Sequence, residues 1–332
     1  MEKSTVCEII QQFYPSATVV NLKITETRII AEIQNAAPNE AATTEIKNAL
    51  QEIAPNLKLS LIFTEEKNVN IGVQQIEKWH IIGVKKIIGV ASGKGGVGKS
   101  TTAVNLALAL ANLGKRTALV DADIYGPSIP TMLGYEGEPF TSTDGRHFTP
   151  FLNHGIQSVS VGSMIDRNTP LIWRGSKACG AIEQLLTQTA WDNVDVMVLD
   201  MPPGTGDILI TLSQRVAFDG IVIVSTPQDI ALIDAVKGVN MFKKIGTPIL
   251  GIVENMSYFI CPHCGEKSDI FGHEGAKQTA EKMGETFLGA IPLEMSIRAN
   301  ADNGTPIVAA EPDSPHTAAY EEIAKKIIQR IG

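Results

Sequence analysis

The residues Gly93-Lys94-Gly95-Gly96-Val97-Gly98-Lys99-Ser100 stand between an apolar run, Ile87 to Ala91, and a helix-length segment, Ser100 to Leu113. A strand that ends in a glycine-rich turn and opens into a helix returns to its sheet by a crossover, which commits the chain to parallel strands with helices on the faces. The sequence beyond Lys86 repeats that rhythm. Apolar runs at Thr117 to Val120, Ile156 to Val161, Val194 to Leu199, Gly220 to Val224 and Ile249 to Val253 alternate with helix-length segments at Ala178 to Thr189, Ile208 to Val216 and Asp229 to Lys244. Runs apolar on both pleat faces are what a buried parallel sheet requires. In the Asp229 segment, Leu232, Ala235, Val236, Val239 and Phe242 fall on one face, so that helix covers the sheet from a single side. The expected fold class is α/β: a doubly wound, mainly parallel sheet whose ligands sit at the carboxyl ends of the strands.

Ahead of that texture, residues 1–66 read as a small N-terminal α/β domain. Glu8 to Phe13 suits a helix, Ala17 to Lys23 and Arg28 to Gln34 suit strands, Ala41 to Ile53 a second helix and Leu57 to Phe63 a further strand. Asn35 to Asn39 is turn chemistry. Residues 67–84 are more polar and read as a linker, leaving 85–332 as the larger domain.

The glycine-rich segment fits G-x-x-x-x-G-K-[ST], in the strand-to-helix context that gives this pattern meaning. Gly93, Gly95, Gly96 and Gly98 let backbone N–H groups, Val97's among them, converge on phosphate oxygens with no Cβ in the way, and the following helix N-terminus adds its partial positive charge. Lys99 would reach the β- and γ-phosphates, and the Ser100 hydroxyl would ligate Mg²⁺. Lys94 is a second lysine in a cradle that Lys99 already serves. It reads either as a solvated surface charge or as a cation aimed at another subunit's nucleotide, as an arginine finger supplied in trans would be.

Two aspartate turns follow strands: Asp121-Ala122-Asp123, and Asp200 leading into Pro202, Gly204, Gly206 and Asp207. A carboxylate after a buried strand beside a phosphate loop suits Mg²⁺ held through its water shell, so Asp200 takes that role and Asp123 the polarising of the attacking water. Asp123 as a helix N-cap for Ser128 to Leu133 is the alternative. Gly204 and Gly206 leave the second turn able to change its backbone when the γ-phosphate departs.

Composition matters most for the cysteines. The chain of 332 residues has four, at positions 7, 179, 261 and 264. That is too few for a disulfide scaffold of this size, and it suits a reducing, cytoplasmic setting. Cys261-Pro262-His263-Cys264 places two sulfurs on one side of a tight turn. The pair suits a thiophilic metal or a redox couple. Two chains about a dimer axis would supply four thiolates for a shared iron–sulfur cluster, while half of a zinc ribbon or a disulfide-exchange pair looks the same in sequence. His263 reads as a loop residue and Cys179 as a small buried hydrophobe. The net charge of −8 disfavours a sequence-independent grip on nucleic acid or anionic lipid, and no uncharged apolar run reaches membrane-spanning length.

With these motifs in order, the sequence closely resembles the Mrp/ApbC group of iron–sulfur carrier P-loop ATPases, in the deviant-Walker class shared with MinD, ParA and the nitrogenase iron protein. The resemblance covers roughly residues 85 to 310. It is carried by SGKGGVGKST (92–101), DADIYGPSIP (121–130), IWRG (172–175), LDMPPGTGD (199–207), TPQDIAL (226–232), GIVENMSYFICPHCG (251–265) and the IPL of 291–293. It implies that Lys94 contacts phosphate across a nucleotide-sandwich homodimer, that Lys99, Ser100 and Thr101 bind phosphate and Mg²⁺, and that Asp123 and Asp200 are the two switch aspartates. It implies that Asn255 reads the adenine edge of ATP. It further implies that Cys261 and Cys264 carry a labile [4Fe–4S] cluster between subunits, received from a scaffold or donor and passed to apo iron–sulfur proteins. Ser176-Lys177 follow IWRG where the family commonly has Pro-Met. The N-terminal unit is placed like the family's iron–sulfur-assembly-like domain but lacks its cysteine-bearing segment, so no metal is expected there. A MinD- or ParA-like positioning ATPase would share every phosphate residue. It would want a basic amphipathic helix, and Tyr320 to Ile331 reads instead as a packed closing helix, with Glu321 and Glu322 diluting its charge.

Overall fold

The computed structural model describes residues 3–15, 17–25, 28–34, 39–64, 77–142, 144–164, 175–261 and 263–332. Most of the linker segment, most of the Asn35 turn, and Ile172, Trp173 and Arg174 of the IWRG match lie outside them. The chain forms two compact units, Met1–Ile76 and Glu77–Gly332.

In the first unit, α1 (Lys3–Phe13) precedes β1 (Thr18–Ile24) and β2 (Arg28–Gln34), and α2 (Glu40–Ile53) crosses over to β3 (Lys58–Thr64). β1 pairs antiparallel and β3 parallel to β2, giving the sheet order β1-β2-β3. Ile29, Ala31 and Ile33 alternate inward along β2 and meet Val6 and Ile10 of α1 and Ile46 and Leu50 of α2. The Asn39 side chain starts α2 by accepting from the N–H groups of Ala41 and Ala42.

The second unit is built on an eight-stranded sheet. Its chain order begins with β4 (Val84–Ala91), α3 (Lys99–Asn112), β5 (Thr117–Asp121), the single turn α4 (Ile129–Met132), β6 (Phe151–Asn153) and β7 (Ile156–Ser160). It continues with α5 (Gly175–Thr187), β8 (Val194–Asp200), α6 (Asp207–Arg215), β9 (Gly220–Ser225), α7 (Asp229–Ile245) and β10 (Ile249–Glu254). A small hairpin, β11 (Phe259–Ile260) and β12 (Lys267–Ser268), precedes α8 (Gly275–Met283), β13 (Phe287–Ala290), α9 (Met295–Asp302), α10 (Ile307–Ala310) and α11 (Pro315–Ile331). The strand order is β13-β10-β9-β4-β8-β5-β7-β6, parallel throughout except for the antiparallel edge strand β6.

Alternation along β4 makes two core layers. Ile88 and Val90 face Leu106 and Leu110 of α3 and Tyr320, Ile323 and Ile327 of α11, all buried. Ile87 and Ala91 face the other layer, where Ile182, Leu209 and Phe242 of α5, α6 and α7 pack. Burying a ring as fully as that of Phe242 is worth about 3–5 kcal/mol against its truncation to Ala. The terminal helix α11 is thus a packed closing helix, as its sequence pattern indicates. Among the described residues no helix is long and apolar enough to cross a membrane.

The second unit begins ahead of residue 85. The Lys78 ammonium donates to the carbonyls of Ser213 and Val216, at 3.4 and 3.0 Å, and the Trp79 N–H to that of Arg215 at 2.8 Å. These bonds run to the C-terminal end of α6, so the approach to β4 is held by contacts that no local pattern announces.

Candidate functional site

β4, β5, β8 and β10 all end on one rim of the sheet, and each delivers a polar residue there. The phosphate-loop segment leaves β4 and turns into α3 through Gly96 and Gly98, both at φ +80, where a side chain would be strained. Gly98 also has no room for one: a Cβ would fall 2.0 Å from Asn255 Nδ2. That amide donates to the Val97 carbonyl at 2.9 Å, so the residue after β10 braces the loop from beneath. At the other end, a Cβ on Gly93 would meet the Asp234 backbone at 2.2 Å, which sets the loop tight against α7.

Lys99 is 6% exposed and its ammonium lies 2.6 Å from Asp200 Oδ1, 3.4 Å from Asp123 Oδ2 and 3.3 Å from Ser100 Oγ. Burial raises the carboxyl of Asp200 above the usual carboxylate range, and Lys99 opposes that rise. Two further oxygens here, Asp123 Oδ1 and Asp200 Oδ2, are buried without a hydrogen-bond partner. Orphaned buried carboxylate oxygens beside a hydroxyl fit a hydrated divalent cation, which takes oxygen ligands directly and through water. Mg²⁺ therefore suits the donor pair of Ser100 and Asp200, with Asp123 lining the same cavity as Ser100.

Asp121, the first residue of the DAD turn, organises its neighbour. Its Oδ1 accepts from the Asp123 N–H at 3.1 Å. Its Oδ2 accepts from the N–H groups of Ser128 and Ile129, at 3.1 and 3.2 Å, and from the Ser160 hydroxyl at 3.0 Å. It is Asp121, not Asp123, that occupies the backbone donors at the start of α4. Complete burial, then the nearby charge of Asp200, pushes its carboxyl up to about 7, against the opposing Ile129 N–H. The turn after Asp200 is tied in as well, since the Gly204 N–H donates to the Ser92 carbonyl at 2.9 Å and the Ala122 N–H to that of Asp200 at 2.9 Å.

These elements enclose two adjoining cavities. One of about 280 Å³ is lined by Gly95, Gly96, Lys99, Ser100, Asp123 and Pro203, among others. The other, of about 330 Å³, shares Gly98, Thr101, Ser128 and Met132 with it and extends to Asn255, Met256, Leu293 and Ile297. A polar cradle joined to a largely apolar slot has the form of a site for a phosphorylated planar ligand. Lys94 is half-buried, lies outside the lining of both cavities, and among the described residues forms no ion pair.

Cys261 and Cys264 sit apart from this rim, at the tip of the β11–β12 hairpin. The Cys261 N–H donates to the Glu266 carbonyl at 2.9 Å and the Gly265 N–H to that of Cys261 at 2.8 Å, closing the tip; Pro262 is outside the described residues. Backbone N–H groups of Cys264 and His263 hold the Cys261 thiol below its usual range, favouring thiolate. Cys264 is exposed and both sulfurs are free. Cys7 lies in α1 of the first unit and Cys179 in α5 of the second. Among the described residues no group of three or more His, Cys, Asp or Glu is arranged to hold a metal ion.

Sequence reasoning missed Asp121's bracing role and the contribution of Met256, Ile297 and Arg298 to the apolar slot. Asp121 was recoverable in part, because an Asp two residues ahead of a backbone N–H is a familiar turn anchor, as its bond to the Asp123 N–H is. The slot was not, because α9 lies far along the chain.

Residues 83–328 match the family model described as NUBPL iron-transfer P-loop NTPase. The iron-sulfur cluster transfer protein NUBPL of Dictyostelium discoideum is 52% identical over 77% of this chain and 80% of its own length. The iron-sulfur cluster carrier protein of Escherichia coli K12 is 53% identical over 76% of this chain and 68% of its own. Among solved structures, a nucleotide-binding protein of Archaeoglobus fulgidus in complex with ADP superposes with a TM-score of 0.62 at 36% identity, covering 71% of this chain and 91% of that one.

Proposed function

The chain belongs to the NUBPL iron-transfer P-loop NTPase family, and from that premise we propose that it is a homodimeric, ATP-hydrolysing carrier of a [4Fe–4S] cluster. The cluster is cargo, received from a donor scaffold and handed to apo iron–sulfur proteins. The observation that carries the reading is the pair of free thiols, Cys261 and Cys264, at the tip of a hairpin rooted beside the nucleotide cavities. One chain offers two sulfurs, and a dimer axis brings four together for a Cys₄ cluster. A cluster held on a seam leaves when the seam opens, which suits delivery better than a site closed within one chain.

In the nucleotide site, backbone N–H groups of residues 93–101 hold phosphate oxygens, and Asn255, through its Oδ1, reads the amino edge of adenine. Bound triphosphate gives Lys99 an anionic partner in place of Asp200. Mg²⁺, held by Ser100 and through water by Asp200, neutralises phosphate charge when bound. Asp123 orients the attacking water through its free Oδ1. Lys94 crosses to the partner's phosphates, in keeping with its position outside its own cradle. The relatives' carrier names at over half identity favour this reading over a positioning ATPase. Four free thiols suit a reducing compartment such as the cytosol, and the net charge of −8 weighs against nucleic acid or an anionic membrane as a partner.

The test is anaerobic transfer: cluster-loaded protein is mixed with an apo-ferredoxin-type acceptor, and the acceptor's own spectrum is followed. The proposal expects the acceptor to gain cluster. An acceptor that fills no faster than with free iron and sulfide would argue against a carrier.

A further inference from the structure

After β10 the chain leaves the sheet at Asn255, carries both cysteines outward on the hairpin, and rejoins the fold at the start of α8. Three contacts root this excursion in the apolar slot of the nucleotide site. Asn255 braces Val97, and both Asn255 and Met256 line the slot. Leu293 lines the same slot; its N–H donates to the Tyr258 carbonyl at 2.7 Å, and it bridges to Phe259, the first residue of β11. At the base lies Glu254, 1% exposed. Its Oε1 accepts from the Ser257 hydroxyl at 2.5 Å on the outgoing stem, and its Oε2 from the Ala276 N–H at 2.6 Å where the returning stem enters α8. A single buried carboxylate thus clamps both stems. The stems also carry Met256 at φ 54 and Glu274 at φ 49, non-glycine residues in the left-handed region, a conformation that persists only where the surroundings enforce it.

We propose that Glu254 is the positioning residue that couples the nucleotide cavity to the cysteine hairpin. A ligand that shifts Asn255, Met256 or Leu293 moves the neighbouring carboxylate, and both stems move with it, changing how Cys261 and Cys264 are presented. A ligand drives such a shift only to the extent that it binds the two arrangements differently. The purpose of this coupling rests on the carrier reading; the coupling itself belongs to the protein without cargo.

The experiment is amide hydrogen exchange on the full-length, cluster-free protein, with and without ADP, for the wild type, Glu254→Gln and Ser257→Ala. The Gln variant keeps the volume but cannot accept from both stems. ADP is expected to change exchange over residues 259–268 by about fivefold or more in the wild type, the lower end of ordinary allosteric coupling. That response should vanish in Glu254→Gln and shrink in Ser257→Ala, which carries the test alone if the Gln variant fails to fold. An ADP-insensitive hairpin in the wild type, or a response of wild-type size in the variants, overturns the proposal. A responsive hairpin on a protein that holds no cluster supports the coupling and removes the carrier reading alone.

Discussion

Lys99 Nζ lies 2.6 Å from Asp200 Oδ1, and both side chains are almost entirely out of solvent. The phosphate-loop cation and the carboxylate from the end of β8 therefore form one buried ion pair, with Asp123 as a more distant third member at 3.4 Å. Nucleotide binding in such a site is an exchange of partners. In the nucleotide site proposed above, the attraction gained by phosphate would be partly offset by separating Lys99 from Asp200.

The pair makes a stability prediction independent of any activity. Lys99→Met leaves Asp200 buried and unpaired, which should cost about 3–5 kcal/mol in urea unfolding. Adding Asp200→Asn removes the orphaned charge and should recover a good part of that loss. A double variant no more stable than Lys99→Met would show that the pair is not the cause.

Lys94 should act on the partner subunit's nucleotide. Lys94→Ala and Lys99→Ala should each abolish most ATP hydrolysis as homodimers. Mixed in equal amounts, half the dimers are hybrid, and each hybrid has one site with its own Lys99 and a Lys94 from across the axis. Turnover should return to about a quarter of wild type. Mixtures as inactive as their components would place Lys94 outside the reaction.

Asp121 predicts a pH dependence. Its carboxyl moves from an ordinary 3.8 to about 7 in the folded chain, so folding takes up a proton between those values. The stability this group contributes is fully present below pH about 4 and is lost as pH rises through about 7. The unfolding free energy of the wild type relative to Asp121→Asn should accordingly fall across that window, by up to about 1.4 kcal/mol per pH unit, and be level above it. A difference that does not vary with pH would mean that Asp121 titrates normally.

What could be read in the sequence was whatever depends on neighbours along the chain. The glycine spacing and the strand-helix rhythm placed the phosphate loop and six strands of the parallel sheet, because backbone cradles and buried runs are local properties. The edge strands were not legible. β13 has four residues and β6 three, too short for a period to register. The DAD turn was legible only in part. Its two carboxylates look alike in sequence, and only the folded turn gives Asp121 the donors of Ser128 and Ile129 while leaving Asp123 Oδ1 free. The clamp at Glu254 joins Ser257 to Ala276 across the whole hairpin, and no spacing rule announces a carboxylate shared by two stems.

In the proposed carrier, two subunits hold one cluster on Cys261 and Cys264. The most direct measurement is native mass spectrometry and iron and sulfide analysis of anaerobically reconstituted protein, wild type beside Cys261→Ala/Cys264→Ala. The wild type should be a dimer with about four iron and four sulfide, and the double variant should hold no cluster. Retention of iron and sulfide by the double variant, or a wild type that takes up zinc without sulfide, would rule out a shared cluster on these thiols.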